Sequence, residues 1–146
     1  MTPQRVTLIT LGVADLTRAR AFYAALGWVA ADETPGVSFY QMHGALLGLF
    51  PLADLAKDQG RPDAKLGSGA MTLAQNFATE AQVDAAYTDA IAAGATALKP
   101  PEKVFWGGYS GYYADPDGHV WELAMNPFWP LATDGSLTLP KADDAD

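Results

Sequence analysis

The sequence predicts an α+β fold: two tandem βαβββ modules forming a curved mixed sheet around a cup. Three observations predict it. Short segments of alternating or β-branched character recur along the chain and mark strands. Two segments have apolar residues at helical spacing, and each ends at a glycine. The order β-α-β-β-β then occurs twice, over residues 1–57 and 69–128, with a linker at 58–68 and a tail at 129–146. A helix on one face of each sheet leaves the other face to line the cup.

Each element has its own warrant. Val6 to Val13 is rich in β-branched residues and reads as a strand. Asp15 can cap a helix from Leu16 to Leu26, with Leu16, Ala19, Phe22, Tyr23 and Leu26 on one side and Gly27 at the end. Trp28 to Ala31 is expected to be a short strand. Val37 to Met42 and Ala45 to Phe50 form a hairpin turned at His43-Gly44. Pro51 to Lys57 is a short helical link, and the Gly-, Asp-, Pro- and Lys-rich stretch that follows is the linker. In the second half, Ala70 to Asn76 reads as a strand. Thr79 to Gln82 opens a helix with Val83, Ala86, Tyr87 and Ile91 on one face, closed by Gly94. Ala95 to Leu98 is a short strand, and Pro100 to Gly108 is expected to be a loop. Tyr109 to Ala114 and His119 to Met125 form the last hairpin, turned at Asp115-Pro116-Asp117-Gly118. Lys141 to Asp146 reads as a frayed, solvated end.

Composition narrows the function. The 146 residues suffice for a substantial core, and the balance of 49% hydrophobic and 18% charged residues is that of a globular protein. There is no cysteine, which excludes disulfides, thiolate metal sites and cysteine nucleophiles. A formal net charge of -8 repels phosphate backbones, so no nucleic-acid partner is expected. No apolar run is long enough for a membrane span. Met1 to Arg5 lacks the pattern of a signal peptide, so a cytoplasmic location is expected. Neither a dinucleotide-binding glycine motif, a phosphate loop nor a serine nucleophile elbow is present.

Two motifs carry a resemblance. Leu11-Gly12-Val13-Ala14-Asp15-Leu16 with Phe22-Tyr23 and Leu26-Gly27-Trp28 resembles the opening of the glyoxalase / bleomycin-resistance / extradiol-dioxygenase (vicinal-oxygen-chelate) superfamily. The stretch from Gly111 to Leu123, with Asp115-Pro116-Asp117-Gly118-His119-Val120-Trp121-Glu122, resembles its closing hairpin. Phe105-Trp106-Gly107-Gly108-Tyr109-Ser110-Gly111 and Asn126-Pro127-Phe128-Trp129 resemble one bacterial glyoxalase-like branch. The resemblance implies paired βαβββ modules, a divalent metal held by one residue from the first and last strand of each module, a small-molecule ligand, and a homodimer.

Carried onto this sequence, the metal-ligand positions fall at Leu8, Gly48, Ala70 and Glu122. Only Glu122 has a side-chain donor, whereas a catalytic metal needs about three protein ligands. The expectation is therefore no metal and no other cofactor. Of the two histidines, His43 sits at a turn tip, and His119 is out of phase with Val120, Glu122 and Ala124, which alternation turns toward the cup. The expected cup wall is Leu8, Thr10, Tyr40, Leu46, Phe50, Ala70, Thr72, Ala74 and Asn76. Glu122 in that setting has three readings: a relic held by a hydroxyl, an anchor for a ligand, or a general acid or base. Trp106, Tyr109 and Tyr112, set among glycines, suit stacking on a planar ligand, or else form a structural lid or dimer contact. The residues expected to bind a planar or hydrophobic small molecule are thus Thr10, Tyr40, Phe50, Thr72, Asn76, Trp106, Tyr109 and Tyr112, with Glu122 as the catalytic residue if there is turnover. Function stands between a binding protein, a metal-independent isomerase or lyase, and a metal-dependent glyoxalase or dioxygenase, the last opposed by the missing ligands.

Overall fold

The computed structural model describes residues 1–141. The chain divides into two compact units, Met1–Ser68 and Gly69–Asp146. The expected frayed end lies, from residue 142 onward, outside the described residues. Among those described, no helix is long and apolar enough to cross a membrane.

The first unit runs β1 (Leu8–Val13), α1 (Leu16–Ala25), β2 (Asp32–Thr34), β3 (Val37–Gln41), β4 (Leu46–Pro51) and α2 (Leu52–Asp58). Its sheet has the order β1-β4-β3-β2, with β1 and β4 parallel and the other pairs antiparallel. Asp15 caps α1, its carboxylate accepting from the Arg18 amide at 3.1 Å. The helix buries Ala19, Phe22 and Tyr23 against a sheet face carrying Leu11, Val13, Ser38, Tyr40, Leu47 and Leu49, all buried. Arg20 ties the β2–β3 hairpin to the helix: it donates to the Ser38 hydroxyl at 2.6 Å and to the Thr34 and Val37 carbonyls, and pairs with Glu33.

The second unit runs β5 (Thr72–Asn76), α3 (Glu80–Ala92), β6 (Thr96–Lys103), β7 (Tyr109–Ala114) and β8 (Val120–Met125), with sheet order β5-β8-β7-β6 and β5 parallel to β8. Thr79 and Gln82 form a capping box at the start of α3. Val83 and Ala90 of α3 are buried, as are Tyr113, Trp121 and Leu123 of the sheet. The Tyr113 and Trp121 rings stack with centroids 6.4 Å apart. Asp115 closes the β7–β8 turn by accepting from the amides of Asp117 and His119, each at 2.9 Å.

Three elements differ from expectation. The second strand is Asp32–Thr34, not Trp28 to Ala31: Trp28 turns inward instead, stacking on Tyr23 at 5.2 Å, and sheet pairing begins at the Ala31 amide, which donates to the Phe39 carbonyl. Ile91 is exposed, because the helix turns Ala90 to the sheet. The first part of the expected loop, Pro100 to Lys103, is strand: β6 continues through Pro100 and Pro101 to Lys103. Prolines cannot donate to a ladder, but β6 is an edge strand, and its register shifts between Ala97 and Lys99 and again between Lys99 and Glu102.

Those irregularities bring the β6 backbone close to β7. A Cβ on Gly111 would lie 2.8 Å from the Pro101 nitrogen and 2.9 Å from the Lys99 carbonyl oxygen. Backbone cannot yield as a side-chain end can. Gly111→Ala is therefore expected to destabilise the protein by about 1–3 kcal/mol. Denaturant unfolding should show a lower midpoint with an unchanged slope; an unaltered midpoint would contradict the close approach.

Candidate functional site

Register assigns every sheet residue to a face. In the second sheet, Tyr113 pairs with Trp121 and Gly111 with Leu123, and these point toward α3. The alternate residues point away: Thr72, Ala74 and Asn76 on β5, Val120, Glu122 and Ala124 on β8, Ser110, Tyr112 and Ala114 on β7. On this helix-free face Glu122 stands directly between Ala74 and Tyr112. The Tyr112 hydroxyl donates to Glu122 Oε2 at 2.9 Å. Partial burial, then this hydrogen bond and the carboxylate charge, push the Tyr112 phenol above its ordinary value. Thr72 and Ala74 are exposed, so the carboxylate's β5 side opens to solvent.

In the first sheet the face away from α1 carries Leu8, Thr10, Gly12, Phe39, Leu46, Gly48 and Phe50, and α2 packs on its Gly12 end, where an added Cβ would meet Leu52 Cδ2 at 2.7 Å. The Phe39 ring lies over Gly48, where an added Cβ would meet its Cε1 at 3.2 Å and the Thr10 hydroxyl at 3.5 Å. The polar residues of this face are Thr10, Gln41, Asp32 and Thr34; the others named are apolar or aromatic.

Several expected site residues stand elsewhere. Tyr40 is on the α1 side of its sheet, 4% exposed and within 6.0 Å of both the Tyr23 and Trp28 rings. The pairing of Phe39 with Gly48 puts Phe39, not Tyr40, on the face away from α1. Tyr109 likewise belongs to the helix side, where its hydroxyl donates to Asp84 of α3 at 2.6 Å. Trp106 sits in the β6–β7 turn with its indole across Gly108, while Phe128 packs against Gly107. Ala70 precedes β5 and is on neither face. Thus Glu122 and Tyr112 come together, flanked on their face by Thr72 and Asn76, and Thr10 and Phe50 share the corresponding face of the other sheet. Phe39 and Asp84 had no sequence signal of their own; the strand register and the helix–sheet packing reveal them.

The two parallel pairs also match residue for residue. Thr10 stands opposite Gly48 as Ala74 stands opposite Glu122, so Leu8 corresponds to Thr72 rather than to Ala70. With either assignment, Glu122 is the one carboxylate or imidazole at these positions. Among the described residues no three His, Asp or Glu side chains come together. His43 is at an exposed turn tip, and His119 precedes β8, its amide and carbonyl engaged by Asp115. The donor set does not fit a chelated metal.

Comparison with known proteins places this arrangement in a family. A family model described as the Glyoxalase/Bleomycin resistance protein/Dioxygenase superfamily matches residues 5–123. The chain belongs to this superfamily. A crystal structure of a glyoxalase-related enzyme from Fulvimarina pelagi is 39% identical to this superfamily member, with a TM-score of 0.89, covering 95% of this chain and 100% of that one. A glyoxalase/bleomycin resistance protein/dioxygenase from Nocardioides is 24% identical, with a TM-score of 0.71, covering 86% of this chain and 85% of that one. Lactoylglutathione lyase from Agrobacterium tumefaciens is 23% identical, with a TM-score of 0.69, covering 90% and 100%. At those lower identities the likeness is one of fold. A search among curated proteins gives no match.

The Tyr109–Asp84 contact joins the glycine-rich β6–β7 turn to α3. It pushes the Tyr109 phenol up to about 12, chiefly through the hydrogen bond to the carboxylate. Asp84→Asn removes that charged acceptor and is expected to bring Tyr109 back toward an ordinary phenol. A tyrosinate absorbance titration, with Tyr109→Phe as the assignment control, reads this directly; an unchanged titration would mean that the pair does not persist in solution.

Proposed function

We propose that this superfamily member binds a planar or hydrophobic small molecule on the helix-free face of its second sheet, with Glu122 as the polar anchor and no protein-held metal. The observation that carries the reading is the Tyr112–Glu122 hydrogen bond, held on a face that no helix of its own module covers and next to the short, exposed Ala74. Sites for small molecules are mainly apolar, with a few placed polar groups that fix orientation. On this face Glu122, Tyr112, Thr72 and Asn76 supply polar atoms, and Ala74, Val120 and the Tyr112 ring supply apolar area. Leu8 and Gly48 lack the donors that a metal would need, which leaves the carboxylate for the ligand itself.

The test is a thermal-shift and native mass-spectrometry screen of planar aromatic compounds on the intact protein. A compound that binds the native state alone raises Tm by mass action. The expected result is one-to-one binding with the compound recovered unchanged. Conversion of a bound compound, abolished in Glu122→Gln, would overturn the binding reading in favour of a metal-independent isomerase or lyase with Glu122 as its general base.

A further inference from the structure

The chemistry of the Glu122–Tyr112 pair specifies what kind of ligand it can hold. A phenol has one proton, and that of Tyr112 is directed at Glu122 Oε2, 2.9 Å away. What remains for a ligand is lone pairs, on Glu122 Oε1 and on the Tyr112 oxygen. The pair therefore accepts and does not donate, so the ligand must bring the hydrogen.

Charge narrows the class further. Among the described residues no ion pair involves Glu122: Arg20 pairs with Glu33, and Lys99 with Glu102. Lys99 stands opposite Tyr112 on β6, but its ammonium is engaged by Glu102 at 3.1 Å. Glu122 is only partly exposed. A carboxylate partly withdrawn from water with no cation beside it is a charge awaiting a partner. On its β5 side stands Ala74, which contributes a single methyl and is exposed. That leaves space beside the carboxylate on one flank and the Tyr112 ring on the other.

We propose that the ligand is an organic cation: a protonated amine on an apolar or aromatic body, its N–H groups donating to Glu122 Oε1 and the Tyr112 oxygen. An ammonium meets both demands of the site, with several donors and a positive charge, and the Tyr112 ring adds a π face for it. A neutral alcohol meets only the first demand, and a carboxylate meets neither. This rests on the small-molecule reading above and specifies the head group that reading leaves open.

The experiment uses the full chain at neutral pH and three probes that share a phenyl ring and a short chain: 2-phenylethylamine, 2-phenylethanol and 3-phenylpropionate. Dissociation constants come from ligand-observed saturation-transfer NMR titrations. The amine is expected to bind at least about tenfold more tightly than the alcohol, and the carboxylate more weakly than either. Glu122→Gln, checked for an unchanged melting curve, should weaken the amine more than the alcohol and so remove the amine's advantage. Tyr112→Phe, which retains the charge, should keep the amine first in rank. Equal affinities for amine and alcohol, an amine preference that survives Glu122→Gln, or binding of the alcohol alone would overturn the cation proposal and leave the small-molecule reading standing. If none of the three probes binds and the planar screen is also empty, both fall.

Discussion

Much of this structure follows from the parallel pairing of the first and last strands in each module. A parallel pair cannot be closed by a tight turn, so the chain must leave the sheet and return. Here it leaves through α1 between β1 and β2, and through α3 between β5 and β6. Each helix covers one face of its sheet, and from that point the two-residue alternation of a strand decides every address. Trp121 and Leu123 go under α3, and Glu122 between them goes to the other side. Tyr113 is buried while its neighbour Tyr112 reaches the carboxylate. Identical side chains thus acquire different chemistry from a shift of one position.

The tyrosines make the point physically. Desolvation, with the nearby Asp115 charge, pushes the buried Tyr113 phenol well above its ordinary value. Tyr40, packed among Tyr23 and Trp28 under α1, is raised by burial and by the Glu33 charge. Both are core residues whose hydroxyls stay protonated. Tyr112 is raised too, but there the hydrogen bond to Glu122 uses the phenol's only proton, so the pair faces a ligand as an acceptor with a net negative charge.

The duplicated element order was legible because helical and strand periods differ, and because Gly27, Gly94 and the Asp115–Gly118 turn punctuate the chain. The place of Glu122 was legible too, since Trp121 and Leu123 on either side demand burial. Tyr40 was not: Phe39 and Tyr40 are both large and aromatic, so side-chain type cannot set the phase of β3, and only the Phe39–Gly48 pairing does. The full length of β6 was hidden by Pro100 and Pro101, which sequence reasoning takes as strand breakers but which an irregular edge strand accommodates. Tyr109 had the right composition for a ligand-facing loop, yet its partner Asp84 lies on a helix 25 residues earlier, a contact that no local pattern encodes.

The family's metal positions are the part of the account on which the rest turns. Leu8 and Gly48 offer no donor, Phe39 lies over Gly48, and Glu122 is bound to Tyr112 instead. If the carboxylate serves a ligand directly, the protein has no use for a bound transition metal. The direct measurement is metal content of protein purified without an affinity tag, together with its Tm in the presence and absence of Ni²⁺, Zn²⁺, Mn²⁺ and Fe²⁺. The account predicts substoichiometric metal and no rise in Tm with any of the four. Stoichiometric metal with a clear rise in Tm, lost in Glu122→Gln, would contradict it and return the protein to the metal-dependent chemistry of its superfamily.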